Sequence, residues 1–372
     1  MNQELFLGFD SSLRLVEILN KIQPSKVLLL RGQYSYAISG AQKYINQVLN
    51  ERKIAYVEFF DFELNPKEKD LKRGLKIISE EQIEFIISIG GGSVLDMAKL
   101  IRFYYSFKEN ADGTYTQKND LLPLVAIPTT AGTGSEATHF AVLYKGNQKY
   151  SIAHTKMLPD IAIVDPEFTI STSSYITATT GFDALSQAIE SYWNINANEE
   201  SEEYAKRAIE LIYHNLPMAV QDGQNRELRL KIAEGAYLAG KAINITRTTA
   251  PHAFSYPFTT YYNYSHGHAV AMTFPFFLQF NYNLIEEKLS PRLDINQYSK
   301  KMSYLYSLLN ITSRGEAMLS MKKYIEKLGL SLKLPDNFDP QLIINNVNIE
   351  RLENTPIMLN EQDILNVLKN FN

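Results

Sequence analysis

The sequence predicts two domains: an α/β nucleotide-binding domain with a mostly parallel sheet over residues 1–172, and an all-α domain over residues 173–372. Three observations lead there. At 372 residues the chain exceeds the length at which one hydrophobic core usually stops growing. In the first half, short β-rich runs alternate with helical patterns, as in a parallel sheet covered on both faces. From about residue 177 onward, strand candidates give way to long helical stretches.

In order, the strands are read at 26–30 (KVLLL), 54–60 (IAYVEFF), 83–89 (IEFIISI), 121–127 (LLPLVAI) and 161–165 (IAIVD). Each concentrates Val, Ile, Leu, Phe or Tyr in a run too short for a helix. Residues 36–52, 67–81 and 94–107 read as the connecting helices. The pattern changes between Pro166 and Thr177. In TATTGFDALSQAIESYW, residues 177–193, the apolar Ala184, Leu185, Ala188, Ile189 and Tyr192 recur at helical period. Further helices are expected at 200–221, 226–243, 267–287, 296–309 and 314–328.

Composition excludes several classes. A net charge of −4 without long like-charge blocks argues against a nucleic-acid or membrane-surface protein. The absence of cysteine excludes disulfides and thiolate metal sites, fits a cytoplasmic protein and restricts any metal to N and O donors. The start MNQELFLGFDSSLRL has neither the basic opening nor the apolar core of a signal peptide, and no run is long enough to span a bilayer.

Two loops carry phosphate-binding chemistry. The run at 83–89 leads into Gly90, Gly91, Gly92 and Ser93 and then a helix, so backbone amides without side-chain obstruction face outward at a helix N-terminus. After 121–127, IPTTAGTGSEAT places the hydroxyls of Thr129, Thr130, Thr133 and Ser135 around Gly132 and Gly134, suited to ribose and phosphate oxygens.

The stretch Lys241–His268 gathers three of six histidines with two cations. His252 and His266, with Asp183 and Gln187 one helical turn apart, make a plausible mixed N/O cage for a divalent metal. Lys241 and Arg247, just upstream, point to an anionic substrate. His139, His154 and His214 read as ordinary core or surface residues.

GGGSVLDMAK, IPTTAGTGSEAT, LPDIAIVDPEFT, GFDALSQAIESYW and the histidines of PHAFSYPFTTYYNYSHGHAVAMTFP occur in the order and at the spacing of the iron-containing, group III alcohol dehydrogenases. The chain resembles that family throughout. The resemblance implies the dehydroquinate synthase-like architecture: a dinucleotide-binding domain, a helical domain and a cleft where a nicotinamide faces a divalent metal, Fe2+ or Zn2+. It assigns Asp183, His252 and His266 to the metal. Gln187 stands where the family usually has His, and Tyr256 where a further histidine is common.

Within the family, AGKAINITRTTAPHAFSYPFT and HGHAVAMTFP most resemble the phosphonoacetaldehyde reductase branch. The implied reaction is NADPH- or NADH-dependent reduction of a small anionic aldehyde, phosphonoacetaldehyde to 2-hydroxyethylphosphonate. His266 and His268 are its expected catalytic histidines, and Lys241, Arg247, Tyr256 and His268 line the substrate. Asp96 and Lys149 join the two loops as expected cofactor contacts. Arg31 precedes Gly32, where NAD-preferring members carry an aspartate, so NADPH is expected to be accepted at least as well as NADH. The proton has three candidate sources: water at the metal, His268 or the cofactor ribose. A homodimer is left open. Two alternatives stand beside this reading: a reductase of another small aldehyde or polyol, and a non-catalytic nucleotide binder with a degraded metal site.

Overall fold

The structure, a computed structural model, describes residues 3–146, 148–283, 285–347, 349–360 and 362–365. They form two compact units: residues up to Thr172 with Gln224–Tyr237, and Ser173–Gly223 with the chain from Leu238 onward.

In the first unit, six strands form one sheet: β1 (Glu4–Leu7), β2 (Lys26–Arg31), β3 (Ala55–Phe59), β4 (Phe85–Gly90), β7 (Leu124–Pro128) and β10 (Ile161–Val164). Between them in sequence come two antiparallel hairpins, β5 (Phe107–Glu109) with β6 (Tyr115–Gln117), and β8 (Phe140–Lys145) with β9 (Gln148–Ala153). The sheet order is β1-β10-β7-β4-β2-β3, parallel throughout, with Leu28 opposite Ile86 and Ile87 opposite Val125. Helices α1 (Arg14–Ile22), α2 (Ser35–Ile38), α3 (Ala41–Glu51), α4 (Glu68–Glu80) and α5 (Gly92–Ser106) connect the strands.

Alternation along each strand builds two cores. Leu28, Leu30, Ile86 and Leu124 pack with Met97 and Ile101 of α5, whereas Val27, Leu29, Ile87 and Val125 pack with Leu15, Ile45 and Leu49 on the other face. The long helix expected at 36–52 is broken at Gly40, whose φ of +80° is left-handed and caps α3. The strand expected from 121 begins at Leu124, after Pro123, which has no N–H for the ladder. The edge strand β1 and both hairpins were absent from the sequence reading.

The second unit is helical: α6 (Ser174–Trp193), α7 (Glu199–Gln221), the end of α8 (Arg226–Thr246), α9 (Ala250–Tyr262), α10 (His266–Asn283), α11 (Ile285–Lys288), α12 (Ile295–Leu308), α13 (Ala317–Lys327), α14 (Pro340–Ile344) and α15 (Ile349–Leu352). Buried α6 packs on α7 and α10, with Trp193 stacked on Phe274 at 5.7 Å. The sequence reading missed α9 because of its prolines; Pro251 sits in its first turn, where no intrahelical N–H bond is lost. Among the described residues, no helix is long and apolar enough to cross a membrane.

Candidate functional site

Helix α6 supplies the first donors. Asp183, Gln187 and Glu190, at i, i+4 and i+7, form one polar stripe on an otherwise apolar helix and are all at most 4% exposed. His252 lies in the first turn of α9, and His266 opens α10. Nε2 of His252 is 3.1 Å from Asp183 Oδ1, and Nε2 of His266 is 3.9 Å from the same oxygen. The two imidazoles lie edge to face with centroids 5.3 Å apart. One donor atom from each of Asp183, His252 and His266 lies within 4.8 Å of the others.

This convergence depends on Gly267. A Cβ there would stand 1.9 Å from the Thr179 carbonyl oxygen and 3.2 Å from Asp183 Cβ, so the start of α10 rests directly on the backbone of α6. The Gln187 amide hydrogen-bonds the Asp183 carboxylate, while its Oε1 is buried with no hydrogen-bond partner among the described residues. An unsatisfied buried acceptor beside three N/O donors fits a divalent cation such as Fe2+ or Zn2+.

The electrostatics agree with that fit. Burial acts to raise the Asp183 pKa, yet His266, His252 and Gln187 outweigh it and hold the carboxyl below its usual range. Burial acts to lower the His252 pKa, but Glu190 and Asp183 override it and push it up to about 10. Two carboxylates thus demand a positive charge between them. A bound divalent cation would meet that demand and leave the imidazole neutral.

The expected substrate residues diverge in their surroundings. Lys241 lies over the Tyr204 ring of α7, 5.3 Å from its centroid. Arg247 follows α8 in a left-handed conformation with φ of 68°, and its carbonyl accepts from Asn194 Nδ2 and Thr246 Oγ1. Burial, then the neighbouring guanidinium of Arg351, lowers its pKa to about 10. Tyr256 stacks beside His266 at 6.1 Å. His268 points elsewhere: its Nε2 meets the Ser331 carbonyl at 2.7 Å and its Nδ1 the Tyr175 hydroxyl at 3.1 Å. Two residues apart on a helix, His266 and His268 face well apart.

In the first unit, the two nucleotide loops converge. A Cβ on Gly91 would lie 3.6 Å from Thr130 Oγ1, and one on Gly92 would clash with Thr133. Thr129 is buried, its N–H donating to the Gly90 carbonyl and its Oγ1 without a partner among the described residues. Ser93 Oγ accepts from the Asn65 amide. Asp96 is turned inward, accepting from Ser135 Oγ and from the Val142 amide, and pairs with fully buried Lys99 at 3.1 Å. Asp96 and Ser135 therefore lock the loop from behind. Lys149 is half-buried in β9, opposite Tyr144. Arg31 pairs with Glu58 of β3 at 2.8 Å and lies over the Phe60 ring at 3.5 Å. Sequence reasoning looked for a carboxylate at Gly32 and missed Glu58, which the parallel pairing of β2 and β3 brings alongside. It also missed Glu190, although the stripe Asp183, Gln187, Glu190 was visible.

The Iron-containing alcohol dehydrogenase family model matches residues 2–166, and the Fe-containing alcohol dehydrogenase family, C-terminal model matches residues 177–371. A long-chain-alcohol dehydrogenase 1 of Geobacillus thermodenitrificans is 37% identical over 218 residues, 56% of this chain and just 55% of that protein's length. A 1,3-propanediol dehydrogenase of Klebsiella pneumoniae is 34% identical over 271 residues, 71% of this chain and 70% of the relative. Among solved structures, a sulfoacetaldehyde reductase from Bifidobacterium kashiwanohense in complex with NAD+ is similar with a TM-score of 0.85 at 25% identity, covering 99% of this chain and 96% of that one. With both its α/β and its helical part matched, the chain belongs to the iron-containing alcohol dehydrogenase family.

Proposed function

We propose that the protein is a metal-dependent, nicotinamide-linked oxidoreductase that reduces a small aldehyde to the alcohol. The observation that carries this reading is the convergence of Asp183, His252 and His266 within 4.8 Å in a chain of this family. Asp183, His252 and His266 would hold the metal, with Gln187 Oε1 as a further donor. When bound, the metal would polarise the carbonyl and stabilise the developing alkoxide while reduced nicotinamide supplies hydride. Asp183 places its negative charge beside both imidazoles and orients them. Tyr256 limits the space beside His266. A proton route through His268 is the least supported of the three, because both its ring nitrogens already have partners. The lack of cysteines favours a cytoplasmic setting.

For the substrate we favour an anionic aldehyde, with phosphonoacetaldehyde as the specific reading. Two guanidiniums brought together at Arg247 and Arg351 suit a dianion, and the similar sulfoacetaldehyde reductase is named for an aldehyde bearing an anionic group. An uncharged aldehyde is the second reading, favoured by likeness to a 1,3-propanediol dehydrogenase and by the separate settings of Lys241 and Arg247. For the cofactor, Glu58 reverses the expectation drawn from Gly32. A carboxylate already paired with Arg31 offers an acceptor for ribose hydroxyls and repels a 2′-phosphate, so NADH is the better fit.

The test is loss of reduced-nicotinamide absorbance with added Fe2+ or Zn2+. Asp183→Ala and His266→Ala should each abolish turnover and leave cofactor binding intact; full activity in either refutes the metal reading. The ratio of kcat/KM for phosphonoacetaldehyde to that for an uncharged short aldehyde decides between the two substrates. Arg247→Met should lower that ratio at least tenfold, and a change under about threefold transfers the assignment to the uncharged aldehyde.

A further inference from the structure

Resting on the metal reading above, we infer that Glu190 is a positioning residue that sets which nitrogen of His252 faces the metal. Its side chain is fully buried, and no Lys or Arg is among the partners the structure records for its carboxylate. A carboxylate placed this way needs other donors. It has three: Oε1 is hydrogen-bonded with Nδ1 of His252, and Oε2 accepts from the Thr249 amide at 2.7 Å and the Thr249 hydroxyl at 2.9 Å.

Each contact acts on His252. Thr249 is the N-cap of α9, but its side chain does not cap its own helix. It turns to Glu190 and accepts from Trp193 Nε1 at 3.0 Å. Glu190 thus ties down the start of α9, where a negative charge is also favoured by the helix dipole, and with it the first turn that carries His252. With the Thr249 amide and hydroxyl both donating to it, the Glu190 carboxylate serves as an acceptor, and the nitrogen facing it carries the proton. Nδ1–H therefore points at Glu190, so that with a metal bound it is Nε2, on the side of Asp183 and 3.1 Å from it, that is left to donate a lone pair. A carboxylate behind a ligating histidine fixes the tautomer, holds the ring plane and makes the imidazole a better donor. The unusual donor Gln187 sharpens the need, since an amide oxygen is a poor substitute for imidazole and the site depends more heavily on His252.

The decisive variant is Glu190→Gln, which keeps size and shape. Its amide oxygen can satisfy Thr249, but its NH2 then faces Nδ1 and favours a proton on Nε2, the nitrogen the metal requires. Equilibrium dialysis against Zn2+, with metal analysis, should show a 10–100-fold loss of affinity, with NADH binding unchanged. Thr249→Val, which leaves the carboxylate in place and removes one of the two donors to its Oε2, should give a smaller, several-fold loss. Ring 15N spectra at a Zn2+ concentration that saturates the wild type should show His252 with Nδ1 protonated and Nε2 ligated, and in Glu190→Gln at the same concentration a large share of His252 should instead carry its proton on Nε2. If wild type binds Zn2+ and both variants bind it within twofold, or Nδ1 is unprotonated in the wild type, the inference is overturned and the metal reading stands. If the wild type binds no divalent metal, both fall together.

Discussion

Replacing Asp96 by alanine is the sharpest test of how the nucleotide loops are held. Asp96 is a charged partner of Lys99, whose side chain is 0% exposed and which also donates to the carbonyls of Ser135 and Phe140 and the hydroxyl of Thr138. Asp96→Ala removes a carboxylate at 3.1 Å from that ammonium and frees the Ser135 hydroxyl and the Val142 amide. Leaving one member of a buried pair uncompensated costs about 3–5 kcal/mol. Asp96→Ala with Lys99→Met should recover at least about 1.5 kcal/mol of that, since no unpaired charge remains. The measurement is guanidinium unfolding followed by circular dichroism, with hydrogen exchange at residues 129–142 as the local probe. Trp193, the sole tryptophan, lies in the second unit, so its fluorescence is an internal control that should change little. A single variant within about 1 kcal/mol of wild type, or a double variant no more stable than the single, refutes the reasoning.

Three other outcomes follow from the same structure. Glu58→Gln should release Arg31 and shift the ratio of kcat/KM for NADPH over NADH upward at least tenfold; an unchanged ratio means Glu58 does not read the ribose. Gln187→His should tighten Zn2+ binding by replacing an amide with imidazole, and unchanged metal content after dialysis removes Gln187 from the donor set. Glu136 is buried, and desolvation raises its pKa to about 7 despite its own backbone hydrogen bond and Lys99. The folded state therefore holds a proton that the unfolded state releases near pH 4.5, so this contribution is complete below that pH and is lost as pH rises through about 7. Relative to Glu136→Gln, wild-type stability should fall by up to about 3 kcal/mol across that window, and a flat difference between the two unfolding curves contradicts it.

What the sequence revealed follows from what is local. Contiguous apolar runs such as 83–89 mark buried parallel strands, and the 3.6-residue period of 177–193 places Asp183 and Gln187 together, because both signals live within one element. Features set by pairing between distant segments were hidden. Glu58 meets Arg31 only because β3 pairs with β2, and the contacts of Asp96 with Lys99 and Ser135 exist only once the fold brings those residues to it. Glu190 lies between these cases: its helical register was legible, but its partner His252 is 62 positions away. Lys241 and Arg247 show the converse, since closeness in sequence suggested one binding site and the helix between them turned their side chains to different neighbours.

The seat of Gly267 on the Thr179 carbonyl has a consequence for how the chain tolerates change. Most helix pairs are spaced by side chains, so their separation drifts whenever a core residue grows or shrinks. Here backbone meets backbone, and the gap between α6 and α10 works as a hard stop. Drift in the surrounding aromatic core, around Phe182 and Phe274, can be absorbed elsewhere while Asp183 and His266 keep their distance. The same stop makes position 267 unforgiving: even a methyl group must push the two helices apart, and the first thing to open is the donor set.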